Sequence, residues 1–137
     1  MSRSAAQRPA DETAARDAGS AIVDFVLVGA LTTVLFVAVL QLTLTLHVRS
    51  TLIDCAAEGA RYGALADRGP GDGAARARDL IEMSLAPSFS EGVSASVREL
   101  DGLQVVEVRV DAPLPLLGLL GPGGTLTVRG HALQEGP

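Results

Sequence analysis

The chain has 137 residues, 47% of them hydrophobic but only 3% aromatic, with no Trp, a formal charge of −5 and a mean hydropathy of +0.32. That length holds at most one small domain once a membrane segment is subtracted, and its apolar mass of Leu, Val and Ala offers no surface on which bases or sugars stack. Every basic residue is Arg and none clusters into a basic face, which argues against nucleic acid; a lone Cys55 makes neither an internal disulfide nor a Cys-rich zinc site.

Residues 1–19 form a polar leader. Behind it, Phe25 to Leu46 carries no charge, and as a helix it spans ~33 Å at ~1.5 Å per residue, enough to cross a hydrocarbon core of about 30 Å. A buried core helix is excluded by size, because the remaining chain cannot surround it. A cleaved secretory signal fits poorly: the run exceeds an ordinary signal core, and residues 46–50 offer no small-x-small site. A lipoprotein site at Cys55 is disfavoured by Asp54, which stands where a small residue is required. Arg3, Arg8 and Arg16 on the leader side, against Arg49 and Arg61 beyond, predict a cytoplasmic amino terminus.

Asp24 lies at the start of this apolar run, the fifth residue if Ser20 is the first. Two readings stand. In one, the carboxylate sits at the headgroup level, where the helix dipole favours it and the cost of burial is small. In the other, the chain is cut between Gly19 and Ser20, and the new α-amino group pairs with Asp24, in its own chain or in a neighbour, to set register between subunits. A glycine before the cut lets a peptidase approach the backbone closely.

Past the membrane segment, 47–66 contains no Pro, and Leu52, Ala56, Gly59, Ala60, Gly63 and Ala66 recur at helical spacing. The small face with Gly59-x-x-x-Gly63 predicts close approach of another backbone. A turn-rich run, 67–73, ends the element. Residues 74–86 read as a short amphipathic helix with Ala77, Leu80, Ile81, Ser84 and Leu85 on one side, an Arg78–Glu82 pair, and Pro87 as its stop. A hairpin follows, 93–100 and 103–111, around Asp101-Gly102. A two-residue loop pairs Val97 with Val106, Ala95 with Val108 and Val93 with Val110, all on one face. The alternation flips near Leu100, Leu103 and Val105, so the tip is expected to protrude. Residues 125–133 predict a third strand, with Leu126, Val128 and Ala132 inward and His131 outward and solvated. The Leu-rich, Pro/Gly-rich stretch 112–124 either caps the sheet against the helix or forms a patch for a partner.

Gly19-Ser-Ala-Ile-Val-Asp-Phe25 resembles the processing site of type IV prepilins, a Gly followed by an acid at the fifth mature position. Together with residues 18–28 and Ala56-Ala-Glu-Gly-Ala-Arg-Tyr-Gly63, the stretch 16–66 is similar to the TadE-like family, small pseudopilins of tight-adherence, Flp-type pilus systems. Asp24 stands where that family usually has Glu. The resemblance implies a minor pilin cut after Gly19 by a prepilin peptidase, with Gly19 and Ser20 as the processing site and Asp24 and Phe25 as the registration pair. Ala56, Gly59, Ala60 and Gly63 are the helix-packing positions. It also implies other pilin-like subunits and an assembly platform as partners.

The expected fold is α+β: a single long amino-terminal transmembrane helix that continues outside the membrane, packed on a small antiparallel three-stranded sheet with one short helix. Its divisions are a cytoplasmic leader (1–19), a transmembrane helix (20–47), its extracytoplasmic extension (48–66) and a small α+β extracytoplasmic domain (67–137). No metalloprotease motif, nucleophile elbow or phosphate-cradling loop is present in the sequence, so neither an enzyme nor a bound cofactor, metal or small-molecule substrate is expected. The competing reading is an uncut, single-pass membrane-anchored binding module.

Overall fold

A computed structural model describes residues 8–114 and 124–136, with side chains from Asp11 onward. Helix α1 runs Arg8–Gly63, α2 runs Pro70–Ser84, a 3-10 turn covers Pro87–Phe89, and three strands follow: β1 Gly92–Leu100, β2 Leu103–Pro113 and β3 Thr125–Leu133. This is the expected α+β architecture, with sheet order β1-β2-β3 and both pairings antiparallel. The chain divides into two compact units, Met1–Leu40 and Gln41–Pro137.

In the first unit α1 already includes the polar leader from Arg8, twelve residues ahead of Ser20. Ala, Asp, Glu and Arg fill that stretch, and Pro9 falls in the first turn, where its missing N–H leaves no helix bond unmade. From Ile22 to Leu40 the large apolar side chains other than the half-buried Val37 stand open, Phe25 80% and Leu31 68% exposed. No residue in the window of highest hydropathy is buried, and this is the one helix among the described residues long and apolar enough to cross a membrane. Polar groups here are satisfied within the helix: the Thr32 and Thr33 hydroxyls donate to the Val28 and Gly29 carbonyls at 2.7 and 2.8 Å. An apolar solvent demands such internal pairing.

In the second unit, residues 41–63 of α1 form the back of a small two-layer domain. Leu52, Ala56 and Ala60 are fully buried and lie in one core with Ala77 and Ile81 of α2 and Val108 and Val110 of β2. α1 ends at Gly63, three residues before the expected boundary, and α2 begins at Pro70, inside the run expected to be a turn. Proline at the first helical position presets the backbone, and the Gly69 N–H donates to the Asp72 carboxylate at 2.9 Å, which secures the start. Local turn chemistry therefore served helix initiation, and the connection shrinks to residues 64–69.

The hairpin register is the expected one, Val97↔Val106, Ala95↔Val108 and Val93↔Val110. Asp101 (φ 53°) and Gly102 (φ 80°) both take positive φ, the two-residue turn that matches strand twist. Leu100 and Leu103 are exposed at the tip, whereas Val105 is buried on the central strand. In β3, Val128 is buried, and Leu126 and Ala132 are half-buried against the core. One expected feature is absent among the described residues. Arg78 and Glu82 do not pair: Arg78 Nη2 donates to the Val93 carbonyl at 2.7 Å, and Glu82 Oε1 accepts from Ser90 Oγ at 2.9 Å. Long side chains at an exposed helix face find fixed partners on the adjoining sheet and turn, which outweighs a weak i, i+4 pair. Residues 115–123 of the Leu-rich stretch lie outside the described residues; at its ends the Leu114 N–H donates to the Gly124 carbonyl at 2.9 Å.

Candidate functional sites: the junction and the small-residue face

The junction sits within the first unit. Gly19, Ser20, Asp24 and Phe25 are all helical and exposed, and a Cβ built on Gly19 would meet nothing within 4 Å. Ser20 and Asp24 are i and i+4, so they share one face about one turn apart. Asp24 is exposed, and no contact among the described residues closes its carboxylate to a cation brought by cleavage or by a second chain.

The small-residue face sits within the second unit, and its partners belong to the same chain. A Cβ on Gly59 would lie 2.6 Å from the Gly73 carbonyl oxygen and 2.8 Å from Ala77 Cβ; one on Gly63 would lie 2.9 Å from the Gly69 oxygen and 3.0 Å from Gly73 Cα. α1 and α2 thus cross backbone to backbone, with Gly73 answering Gly59 and Gly63. On the next side of α1, a Cβ on Gly130 would strike the main chain of Ala56 and Ala57, so β3 lies directly on the helix. Ala56 and Ala60, both 0% exposed, are small because α2 and β3 leave no room. Gly73 and Gly130 completed this face without being singled out in the sequence. The signal was available, since an isolated Gly inside a strand pattern marks close approach of another backbone.

The outer face of the sheet is polar and internally paired. Glu107 is 6% exposed, with Oε1 3.1 Å from Arg98 Nε and Oε2 2.8 Å from His131 Nε2. His131 faces outward as expected but is not simply solvated: it stands opposite Glu107 in the β2–β3 register. Arg109 makes two bonds to the Asp111 carboxylate, 2.8 and 3.1 Å, and Thr127 donates a third. The Arg109 bonds, then the Thr127 hydroxyl, hold Asp111 below the usual carboxylate range, and the same bonds raise Arg109. Burial, then the nearby Asp54 charge, pushes the Cys55 thiol up. Among the described residues no group of three or more His, Cys, Asp or Glu is placed to hold a metal ion.

No curated protein and no solved structure matches the chain. The family model described as TadE-like protein matches residues 19–61, from the glycine of the junction to the last turn of α1. Over those residues, which take in the apolar run and most of the helix that follows it, the chain is similar to the TadE-like family.

Proposed function

We propose that this protein is a structural subunit, a minor pilin or pseudopilin, in assembly of a tight-adherence, Flp-type pilus, and that it is cut between Gly19 and Ser20. The observation that carries the reading is the coincidence at the junction. The family match begins at Gly19, and the exposed Asp24 lies one turn beyond the bond to be cut, at the head of an unshielded apolar helix. In this reading the leader lies in the cytoplasm and the residues beyond the span lie outside. A prepilin peptidase, other pilin-like subunits and the assembly platform are the partners, and the protein performs no catalysis of its own.

Cleavage within a continuous helix requires the backbone to open at the scissile bond. Gly19 lowers that cost, since glycine holds a helix ~1 kcal/mol less well than alanine, and its missing side chain clears the approach. The test is the intact mass of the protein extracted from membranes of cells with an active prepilin peptidase. The expected mass lacks Met1–Gly19, and Asp24→Ala blocks assembly into the fibre. Retention of Met1–Gly19 in those cells overturns the processing claim and leaves an uncut anchor.

A further inference from the structure

One end of the small domain is poor in charge. Within residues 41–137, β3 and α1 run in the same direction: Gly130 lies on Ala56, and the Glu135 N–H donates to the Ala64 carbonyl at 2.8 Å. Residues 130 to 135 thus advance as far as residues 56 to 64, ~12 Å of helix. At that pace Gly124, with Leu114 bonded to it, lies level with about residue 46 of α1. α2 runs the other way, from Gly69 beside Gly63 to Ala77 beside Gly59. Its last turn and the Pro87–Phe89 turn therefore come back toward the same end.

Residues 41–46 of α1 are part of the uncharged run, and one side of them is already covered. Thr45 donates to the Gln41 carbonyl at 2.9 Å and is half-buried, as is Gln41. Thr32 and Thr33 make the same bond and are exposed. Leu42 and Leu46 beside them are 60% and 55% exposed.

The end of the domain at this level has no charge in residues 83–90, 112–114 or 124–128. Glu82 and Asp111 border it but are engaged by Ser90 and Arg109, and Glu91, Arg129 and, on α1, His47 and Arg49 stand at its margin. The far end carries Asp67, Arg68, Arg98, Glu99, Asp101 and Glu135.

We propose that the uncharged rim, which includes Ser88, Leu114 and Thr125 toward the Leu46 end of the domain, lies in the headgroup layer of the bilayer that α1 crosses. The domain is then seated on the lipid surface instead of being held off on a helical stalk. Lipid is the occupant because the rim is continuous with helix residues that themselves belong to the apolar run, and this end is poor in charge. A protein surface docked ~5–10 Å into the interface needs both. The inference rests on the membrane-spanning reading of α1 and not on cleavage at Gly19.

The test places nitroxide labels on the full chain in phosphatidylcholine–phosphatidylglycerol vesicles through Ser88→Cys and Thr125→Cys. Glu99→Cys and Gln134→Cys report the charged end, and Leu31→Cys reports the span; wild-type protein, whose Cys55 is buried, sets the background. The measured quantity is the ratio of collision rates with oxygen and with a water-soluble nickel chelate. At Ser88 and Thr125 the ratio is expected to exceed that at Glu99 and Gln134 several-fold and to fall below that at Leu31. A ratio at Ser88 and Thr125 equal to that at Glu99, with Leu31 deep, overturns the seat alone. An aqueous Leu31 overturns the span and the seat with it. Shielding of the rim only at high protein-to-lipid ratio assigns it to a second copy and also overturns the proposal.

Discussion

Gly59→Ala probes the crossing of α1 and α2 most directly. The added methyl would sit 2.6 Å from the Gly73 carbonyl oxygen and 2.8 Å from Ala77 Cβ. Neither obstacle is the flexible end of a side chain, so relief requires the two helices to separate. Overpacking of this kind costs ~1–3 kcal/mol, and the better helix propensity of alanine returns ~1 kcal/mol, which leaves a net loss of up to about 2 kcal/mol. Gly71→Ala is the matched control. It lies in the first turn of α2 with nothing within 4 Å of a built Cβ, so it is expected to stabilise by about 0.4–1 kcal/mol. Two substitutions with the same chemistry should thus move stability in opposite directions. Urea unfolding of the full chain in detergent micelles, followed by tyrosine fluorescence, reads the effect. Tyr62, the chain's one tyrosine, is half-buried with the Arg68 guanidinium 4.9 Å over its ring. An unfolding midpoint for Gly59→Ala at or above that of Gly71→Ala would refute backbone contact at the crossing.

Three further outcomes follow from the same geometry. Asp111 has a lowered folded pKa, so its stabilisation is present above the ordinary carboxylate pKa near ~4 and is lost as pH falls through the lowered value. The gap in melting temperature between wild type and Asp111→Asn should therefore be flat above about pH 5 and close in acid; a gap independent of pH would remove the Arg109–Asp111 bond as its cause. Cys55 is 6% exposed with a raised thiol pKa, so iodoacetamide should label it slowly at pH 8 and rapidly in urea, whereas equal rates would mean an open thiol. Removing both partners of Glu107 strands a carboxylate that is 7% exposed, so Arg98→Ala with His131→Ala should cost more than the sum of the two singles; an additive cycle would show that water replaces them freely.

Features carried by short-range pattern were legible in the sequence. The hairpin register was readable because Asp101-Gly102 fixes the loop length, and a slip of one residue would turn Val106, Val108 and Val110 away from the core. The apolar helix was readable from length and absence of charge alone. The start of α2 was not, because Gly69, Pro70 and Gly71 carry the same local signal in a turn and in a helix N-terminus. Only the packing of Gly73 against Gly59 and Gly63 decides between them. The fates of Arg78, Glu82 and His131 were hidden for a related reason. Each is satisfied by a residue 8 to 24 positions away, and such pairs depend on the tertiary fold. Of the candidate sites, the small face was visible as a face, while its occupant was not.

On the proposed assembly role, that occupant changes where contacts between subunits can form. From Leu52 to Gly63 the small stripe of α1 is filled by α2 and β3 of the same chain, with main-chain atoms already at van der Waals limits. A second helix could enter there only by displacing the domain, at the cost of a core that includes Leu52, Ile81 and Val108, each 0% exposed. Burying such side chains contributes ~1.5–3 kcal/mol apiece, so displacement is too costly to serve as a routine assembly step. Lateral contacts between copies must then use surface that the fold leaves open: the apolar side chains from Ile22 to Leu40, Asp24 at their head, and the side of α1 that carries Ile53 and Arg61. Substitutions at Gly59 and Gly63 should accordingly act on the fold of each subunit, and those at Asp24 and Phe25 on the joining of one subunit to the next.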